Sequence, residues 1–189
     1  VFYFFFRKFT YYEKRVTIKS NYCYKYYKTI SKGDIFMAMI DLHVHSTASD
    51  GTCSPSQVVE LAKKAGLKAI ALTDHDTVSG VAEALKAGQE NGVRVIPGIE
   101  LSSIYEGTEI HILGLFVRPD DPDFLAALKH FSAIRQERNE EMLRRFKDAG
   151  IHLPMEILTG SNPHTVITRA HVARALVSLG YSPSMDQAF

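Results

Sequence analysis

The chain has 189 residues, of which 46% are hydrophobic and 23% are charged, and these values suit one folded domain with a sizeable core. Its formal net charge is +1, but residues 1–36 hold eight Lys/Arg against two Asp/Glu, so the mildly acidic remainder disfavours a broad electrostatic nucleic-acid surface. The two cysteines, Cys23 and Cys53, form no disulfide framework and favour a reducing, cytoplasmic location.

Residues 1–36 differ from the rest of the chain in charge and in tyrosine content. They show no clear helical or strand period, and their apolar run, FYFFF, is too short to span a bilayer. Met37 and Met39 stand just before the regular pattern begins. We therefore predict that residues 1–36 are a non-native or disordered leader. The alternative is a basic, aromatic arm that grips RNA or a membrane surface.

From residue 39 the pattern alternates between strands and helices. The predicted strands are 40–45, 67–76, 93–102 and 109–117, and the predicted helices are 54–67, 79–92, 121–150 and 167–181. Ser54 and Gln57 predict a capping box at the start of the first helix, and Gly66 predicts its end. YEG at 105–107 predicts a hairpin-like turn between the last two strands.

This alternation predicts an α/β fold with a largely parallel sheet, either open or closed into a barrel. The long helix at 121–150 is expected to supply apolar side chains to the core. The candidate core positions on this helix are Leu125, Leu128, Phe131, Ile134, Met142, Leu143 and Phe146.

Histidine and carboxylate side chains gather at the predicted strand ends. In chain order they are His43, His45, Asp50, His75, Glu100 and His111. In β/α barrels the chemistry lies at the C-terminal ends of the strands, so these groups are expected to converge. A set of His, Asp and Glu without cysteine suits Zn, Mn or Fe. The set is larger than one ion needs, and clustered divalent ions serve phosphate ester hydrolysis well.

Four segments, IDLHVHSTASDGT, ALTDHDTVSG, VIPGIELS and EIHILGL, resemble the successive motifs of the PHP (polymerase and histidinol phosphatase) family. The closer likeness is to its 3′,5′-nucleoside bisphosphate phosphatase and 5′-3′ exoribonuclease branch. The resemblance implies a distorted (β/α)7 barrel with three metal ions, Mn first and Zn or Fe as alternatives. It also implies their ligands: His43, His45 and Glu100 for one ion, Glu100 and His111 for a second, and Asp50 and His75 for a third.

The same resemblance implies a hydrolase whose nucleophile is a metal-bound hydroxide. Its substrate would be a 3′,5′-bisphosphonucleotide or short 5′-phosphorylated RNA, with no membrane and no protein partner indicated. The residues expected to contact the substrate are His75, Arg135, Arg138, Arg169 and His171. Arg135 and Arg138 are three residues apart on a helix, so they share a face and can converge on one anion. The alternatives are a histidinol-phosphate-type phosphatase and a non-catalytic PHP module of a DNA polymerase.

The family pattern continues beyond Phe189 with a His-Pro motif and an Asp-x-His motif that supply three more ligands. The resemblance therefore implies that residues 39–189 are the N-terminal portion of a PHP barrel. We expect this portion alone to bind metal weakly and to be poorly active.

Several polar residues outside these motifs are expected to have ordinary structural roles. Asp74 and Asp76 flank His75 and are interpreted as helix-capping or supporting groups. Glu106 and Glu109 border the predicted turn and are expected to be solvated. The histidines without motif support, interpreted as structural or surface residues, are His130, His152 and His164.

Overall fold

The computed structural model describes residues 40–160 and 162–189, so the predicted leader at 1–36 lies outside the described residues. The described part contains four strands and six helices. Along the chain they are β1 (Ile40–Val44), α1 (Pro55–Lys64), β2 (Ala69–Leu72), α2 (Val81–Asn91), β3 (Arg94–Tyr105), β4 (Thr108–Leu115), α3 (Pro122–Asp148), α4 (Met155–Thr159), α5 (Arg169–Ser178) and α6 (Met185–Ala188). The predicted alternation is confirmed, and α4 and α6 are two short helices that the sequence pattern did not reveal.

The strands form one sheet in the order β1-β2-β3-β4. β1, β2 and the first part of β3 run parallel, whereas the second part of β3 pairs antiparallel with β4. All four residues of β2 are buried, as expected for a central parallel strand that is covered on both faces. The predicted α/β fold with a largely parallel sheet is confirmed, and the sheet curls into half a barrel.

The first helix begins and ends where the sequence predicts. The Ser54 side chain accepts a hydrogen bond from the Gln57 backbone N–H, and the Gln57 side chain accepts one from the Ser54 backbone N–H. Gly66 follows the last turn with a φ of +78°, a conformation that glycine adopts at little cost. The Ser54 cap fixes the direction in which the chain leaves the loop that follows β1.

A tight hairpin joins β3 to β4, as predicted. Tyr105 pairs with Thr108, and the two residues between them, Glu106 and Gly107, both have positive φ, at 49° and 76°. Positive φ at both central positions is typical of a type I′ turn, whose twist matches that of the strands it joins. The hairpin register places His111 opposite Ser102, two residues along β3 from Glu100.

Two apolar clusters form the interior. The larger one packs α1 and α2 against the sheet and includes Val59, Ile70 and Leu72. The smaller one lies around α4 and α5 and includes Leu158 and Val172. Within residues 40–160 and 162–189, none of the helices could span a lipid bilayer.

The prediction that seven apolar side chains of α3 lie in the core is wrong in part. Leu128 belongs to the larger cluster, but Leu125, Phe131 and Ile134 are 37%, 41% and 53% exposed. α3 has 27 residues and meets each cluster with only one end. A helical period shows which side chains share a face, but it does not show how much of that face another element covers.

Candidate metal centre

Glu100 is the centre of the histidine and carboxylate cluster. It lies in the middle of β3, and its side chain is only 6% exposed. Its Oε2 lies 2.9 Å from His43 Nε2 and 3.0 Å from His45 Nε2, and its Oε1 lies 3.0 Å from His111 Nδ1. One buried carboxylate therefore contacts imidazoles from β1, from the loop after it and from β4.

The backbone brings His75 beside this carboxylate. The Glu100 N–H donates to the Asp74 carbonyl, and the Asp76 N–H donates to the Glu100 carbonyl, so residues 74–76 extend the pairing of β2 with β3. His75 Nδ1 then lies 3.6 Å from Glu100 Oε2. His75 thus lies at the end of β2, as predicted.

Asp50 approaches the cluster from the loop between β1 and α1. Its carboxylate lies 3.3 Å from His45 Nδ1 and 3.5 Å from His75 Nε2. The loop can return this close because Gly51 has no side chain: a Cβ there would lie 2.5 Å from the His45 carbonyl oxygen and 2.7 Å from the Ser46 carbonyl carbon.

All six predicted ligands therefore meet in one place. Their ligand atoms form three overlapping groups, with the atoms of each group within 4.8 Å of one another. The groups are His43, His45 and Glu100; His45, Asp50 and His75; and His75, Glu100 and His111. The first group is the set predicted for one ion. The assignment of each residue to an ion stays a prediction.

The donor atoms of this cluster fit divalent metal ions. Imidazole nitrogens and carboxylate oxygens without thiolates suit Mn, Zn or Fe. His75 Nδ1 is buried and makes no hydrogen bond with the described residues. A buried polar atom without a partner carries a free-energy cost, and a metal ion would remove that cost.

The carboxylates of the cluster hold their negative charge firmly. Burial opposes the ionisation of Glu100, but hydrogen bonds with His111, His43 and His45 outweigh it and hold the pKa of Glu100 far below its usual range. Burial likewise opposes the ionisation of Asp50, yet its contact with His75 holds the Asp50 pKa well below normal. Both carboxylates therefore stay anionic, as metal ligands must.

The same contacts act on the histidines in the opposite direction. Burial alone would lower the pKa of His45, but its bond with Glu100 and the charge of Asp50 raise it. The bond with Glu100 also raises the pKa of His111. Without metal, protons on these imidazoles balance the two carboxylates, so a metal ion would compete with protons for the same nitrogen atoms.

Two serines and Asp74 hold the loop that carries His45 and Asp50. The buried Asp74 carboxylate accepts hydrogen bonds from the Ser46 N–H at 2.7 Å, the Ser46 hydroxyl at 2.7 Å and the Ser49 hydroxyl at 2.6 Å. Asp74 is therefore a supporting group, as predicted, although neither serine was singled out in the sequence.

A second support comes from more than 110 residues further along the chain. Residues 162–174, which we call the strap, cross the same loop and bond to its backbone. Asn162 Nδ2 donates to the Thr47 carbonyl at 2.7 Å, and Thr165 Oγ1 donates to the Ser49 carbonyl at 2.7 Å. Arg174 Nη1 donates to the Asp50 carbonyl at 3.2 Å. No periodicity or motif points to these contacts, so sequence reasoning missed them.

A cavity of about 100 Å³ opens beside the cluster. Its lining combines predicted ligands with the predicted substrate arginines: Asp50, His75, Ser102, Glu109, His111, Arg135, Arg138, Thr168, Arg169, Ala170 and Phe189. Four of the five predicted substrate-contacting residues, His75 and the three arginines, thus share one cavity. The fifth, His171, is not among the residues that line it.

His171 has another position. It is buried, and its Nδ1 accepts a hydrogen bond from the Thr168 N–H at 3.1 Å, which completes a capping box at the start of α5. Burial lowers the pKa of His171 to about 4, so its ring is neutral near pH 7. The three histidines without motif support, His130, His152 and His164, are exposed, as predicted.

Glu109 is exposed, as expected, but its carboxylate also contacts two side chains of the site. Its side chain is 29% exposed, and its Oε1 lies 3.1 Å from His111 Nε2. Its Oε2 lies 3.2 Å from Arg169 Nη2. The alternation of side chains along β4 places Glu109 on the same face as His111, and this signal could have identified it. Glu106, at the turn, is exposed as expected.

The sequence profile of the PHP domain family matches residues 41–180. A 5′-3′ exoribonuclease of Haemophilus influenzae is 41% identical over 79% of this chain and 54% of its own length. A 3′,5′-nucleoside bisphosphate phosphatase of Chromobacterium violaceum is 37% identical over 81% of this chain and 54% of its own length. Among solved structures, a candidate metal-dependent phosphoesterase from Bifidobacterium adolescentis matches with a TM-score of 0.73 and 31% identity, over 79% of this chain and 53% of its own. The chain thus spans about half the length of these relatives.

Proposed function

The chain belongs to the PHP domain family, and on that premise we propose that it acts in a metal-dependent phosphoesterase for small nucleotides. The proposed reaction removes the 3′-phosphate from a 3′,5′-bisphosphonucleotide and leaves a 5′-nucleotide. Short 5′-phosphorylated RNA, cleaved from its 5′ end, is a related substrate. The names of the relatives from Chromobacterium violaceum and Haemophilus influenzae support these two substrate classes.

One observation carries this proposal: the histidine and carboxylate cluster and three arginines open onto the same cavity. A phosphate ester with a second phosphate needs two kinds of group, metal ligands at the reacting phosphate and fixed cations at the other. Asp50, His75 and His111 supply the first kind, and Arg135, Arg138 and Arg169 supply the second. The cavity therefore suits a small molecule that has two anionic ends.

The cluster would hold divalent metal ions, and we propose three ions per complete site with Mn as the first candidate. His43, His45, Asp50, His75, Glu100 and His111 would supply the ligands from this chain. Such ions, when bound, neutralise phosphoryl oxygens and lower the pKa of a water molecule. Glu100, which contacts the imidazoles of His43, His45 and His111, would keep these three side chains in place for metal binding.

The arginines would hold the phosphate that does not react. An arginine presents several N–H groups in a planar fork, which matches phosphate oxygens better than a lysine does. Arg135 and Arg138 lie one turn apart on α3, and Arg169 begins α5 across the cavity. Specificity for a nucleotide with a 5′-phosphate would therefore come from these residues, and no further protein partner is required. A cytoplasmic location remains part of this proposal.

The test compares substrates with and without the second phosphate, in the full-length protein with Mn²⁺. Wild-type protein should hydrolyse adenosine 3′,5′-bisphosphate with a higher kcat/KM than histidinol phosphate or an aryl phosphate. Changing both Arg135 and Arg138 to Gln should raise KM for the bisphosphate by about tenfold to a hundredfold, since charge-assisted bonds are lost. KM for the aryl phosphate should change far less.

Glu100→Gln provides the complementary variant, because it should lower activity on every substrate while it leaves the arginines intact. The exposed Glu137 on α3 offers the matched control, Glu137→Gln, for loss of one negative charge. Equal changes in KM for all substrates in the double arginine variant would contradict the anchoring role. A higher kcat/KM for histidinol phosphate than for the bisphosphate would contradict the proposed substrate class.

A further inference from the structure

A buried carboxylate lies directly behind one of the cavity's arginines. Asp76 follows His75, its side chain is 5% exposed, and its φ is 52°. Its Oδ1 accepts a hydrogen bond from the Ser102 N–H at 2.9 Å, and its own N–H donates to the Glu100 carbonyl at 3.0 Å. Asp76 is therefore fixed to β3 by its backbone and by its side chain.

The other oxygen of Asp76 holds the guanidinium of Arg135. Arg135 Nε donates to Asp76 Oδ2 at 2.9 Å, and Arg135 Nη2 is paired with the same oxygen. Arg135 Nη2 also donates to Ser102 Oγ at 2.7 Å. The Arg135 side chain is only 9% exposed, so this network fixes both the position and the plane of its guanidinium.

Arg135 keeps hydrogen-bond donors for an occupant of the cavity. A guanidinium carries five N–H groups, one on Nε and two on each Nη. Asp76 and Ser102 use the Nε hydrogen and both Nη2 hydrogens. Within the described residues the two Nη1 hydrogens have no acceptor. Since Arg135 lines the cavity, its Nη1 is the donor that remains for an anion there.

Arg138 differs from Arg135 although both belong to the same helix face. Among the described residues, no carboxylate lies within ion-pair distance of Arg138. Burial, followed by the nearby charge of Arg135, lowers the pKa of Arg138. Arg169, the third cavity arginine, pairs with Glu109. Arg138 is thus the cavity arginine whose charge has no direct partner in the described part of the chain.

We propose that Asp76 is a positioning residue for phosphate recognition: it aims the Nη1 edge of Arg135 into the cavity and leaves Arg138 as the main source of positive charge. The inference rests on the proposed function, since the anion in question is the second phosphate of the nucleotide. The two arginines, which the sequence presents as equivalent, therefore have different roles. Arg135 donates hydrogen bonds to the phosphate from a fixed position, and Arg138 contributes a positive charge that no carboxylate offsets.

Asp76 could act by offsetting positive charge or by positioning Arg135, and the two roles predict opposite changes in KM for Asp76→Asn. A carboxylate that only offsets charge would weaken phosphate binding, so Asp76→Asn would lower KM. A carboxylate that aims Arg135 would strengthen binding, so Asp76→Asn would raise KM. Asn has the same shape and tolerates positive φ better than most residues, so this variant preserves the backbone.

The experiment measures KM for adenosine 3′,5′-bisphosphate and for an aryl phosphate in the full-length protein with Mn²⁺. We expect Asp76→Asn to raise the ratio of the two KM values about tenfold, as for loss of a charged hydrogen bond. In an Arg135→Ala background the same change should add almost nothing, because its effect passes through Arg135. Glu141→Gln is the matched control, since Glu141 pairs with arginines on the exposed side of α3.

Each other outcome has a defined meaning. An unchanged or lower ratio in Asp76→Asn, or full additivity with Arg135→Ala, overturns the positioning role while the proposed function stands. Wild-type protein that hydrolyses the aryl phosphate but not the bisphosphate overturns the proposed substrate, and the positioning role with it. If Asp76→Asn does not fold, Ser102→Ala and Arg135→Lys replace it in the test. Both variants remove hydrogen bonds of the same network, and an unchanged ratio of the two KM values in both overturns the proposal.

Discussion

His171 and the cluster histidines respond to acid in opposite ways. The carboxylate of Glu100 raises the pKa values of His45 and His111, so protonation of these two rings costs the folded protein little. Burial, helped by the charge of Arg174, lowers the pKa of His171 to about 4. Protonation of His171 therefore opposes folding, because the unfolded chain binds that proton near pH 6.5 and the folded chain does not.

We predict that His171→Gln makes the protein less sensitive to acid. In the wild type the contribution of His171 is complete above pH 6.5 and is lost as the pH falls towards 4, a loss of about 3 kcal/mol at most. Gln can keep the capping box with Thr168 but does not titrate. Urea unfolding at pH 7 and pH 4.5 with chelator should show a smaller difference for the variant.

The exposed His152 gives the control for this measurement, as His152→Gln should behave like the wild type. Equal acid sensitivity in His171→Gln and in the wild type would show that the buried ring is not the source of the loss.

At the scale of elements, the strap and the loop after β1 act as one unit. Backbone groups of the loop form hydrogen bonds with Asp74 and with the strap. Thr168 joins the two parts most directly, because its hydroxyl donates to Asp50 Oδ2 at 3.3 Å and also caps α5. The position of Asp50 therefore depends on a segment more than 110 residues away.

We predict that Thr165→Val weakens metal binding although Thr165 is not a ligand. The change keeps the side-chain shape and removes the hydrogen bond to the Ser49 carbonyl, next to Asp50. Loss of one such bond should raise the Kd for Mn²⁺ by about threefold to tenfold. Calorimetric titration of the full-length protein with Mn²⁺ measures this Kd.

Thr159→Val is the matched variant, since the Thr159 hydroxyl bonds only within α4, to the Met155 carbonyl. If both variants bind Mn²⁺ as tightly as the wild type does, the strap has no part in holding Asp50.

Local signals in the sequence were sufficient to predict most of the helices and strands and the convergence of the candidate ligands. Ser54 with Gln57, Glu106 with Gly107, and the histidines at strand ends all act within a few residues, where backbone geometry determines the outcome. The remaining features depend on distant partners. Neither the exposure of Phe131 nor the strap could be predicted, because each depends on what another element covers or reaches.

At the scale of the molecule, histidine, carboxylate and arginine side chains of the described residues gather at one site. Four imidazoles, from His43, His45, His75 and His111, lie around the carboxylates of Glu100 and Asp50. The three arginines of the cavity add further positive charge beside them. Such a site suits metal ions bound together with an anionic substrate, since each offsets the charge that the other brings.

We predict that Mn²⁺ stabilises the full-length protein through this site. At a Mn²⁺ concentration one hundred times its Kd, the free energy of unfolding should rise by about 2.7 kcal/mol. Glu100→Gln should lose most of that gain because Glu100 belongs to two of the three ligand groups. Calorimetric unfolding with Mn²⁺ or with EDTA measures the difference, and Glu137→Gln serves as the control. A gain in Glu100→Gln equal to that of the wild type would place the stabilising metal elsewhere.

The close return of the loop at Gly51 has a consequence for mutational scanning. Any Cβ at this position would overlap the backbone of His45 and Ser46, so even alanine forces the loop apart. A scan that scores activity would place Gly51 in the same class as Asp50, although glycine offers no ligand atom. Intolerance to substitution at Gly51 would therefore reflect the lack of space for a side chain between two candidate ligands, His45 and Asp50.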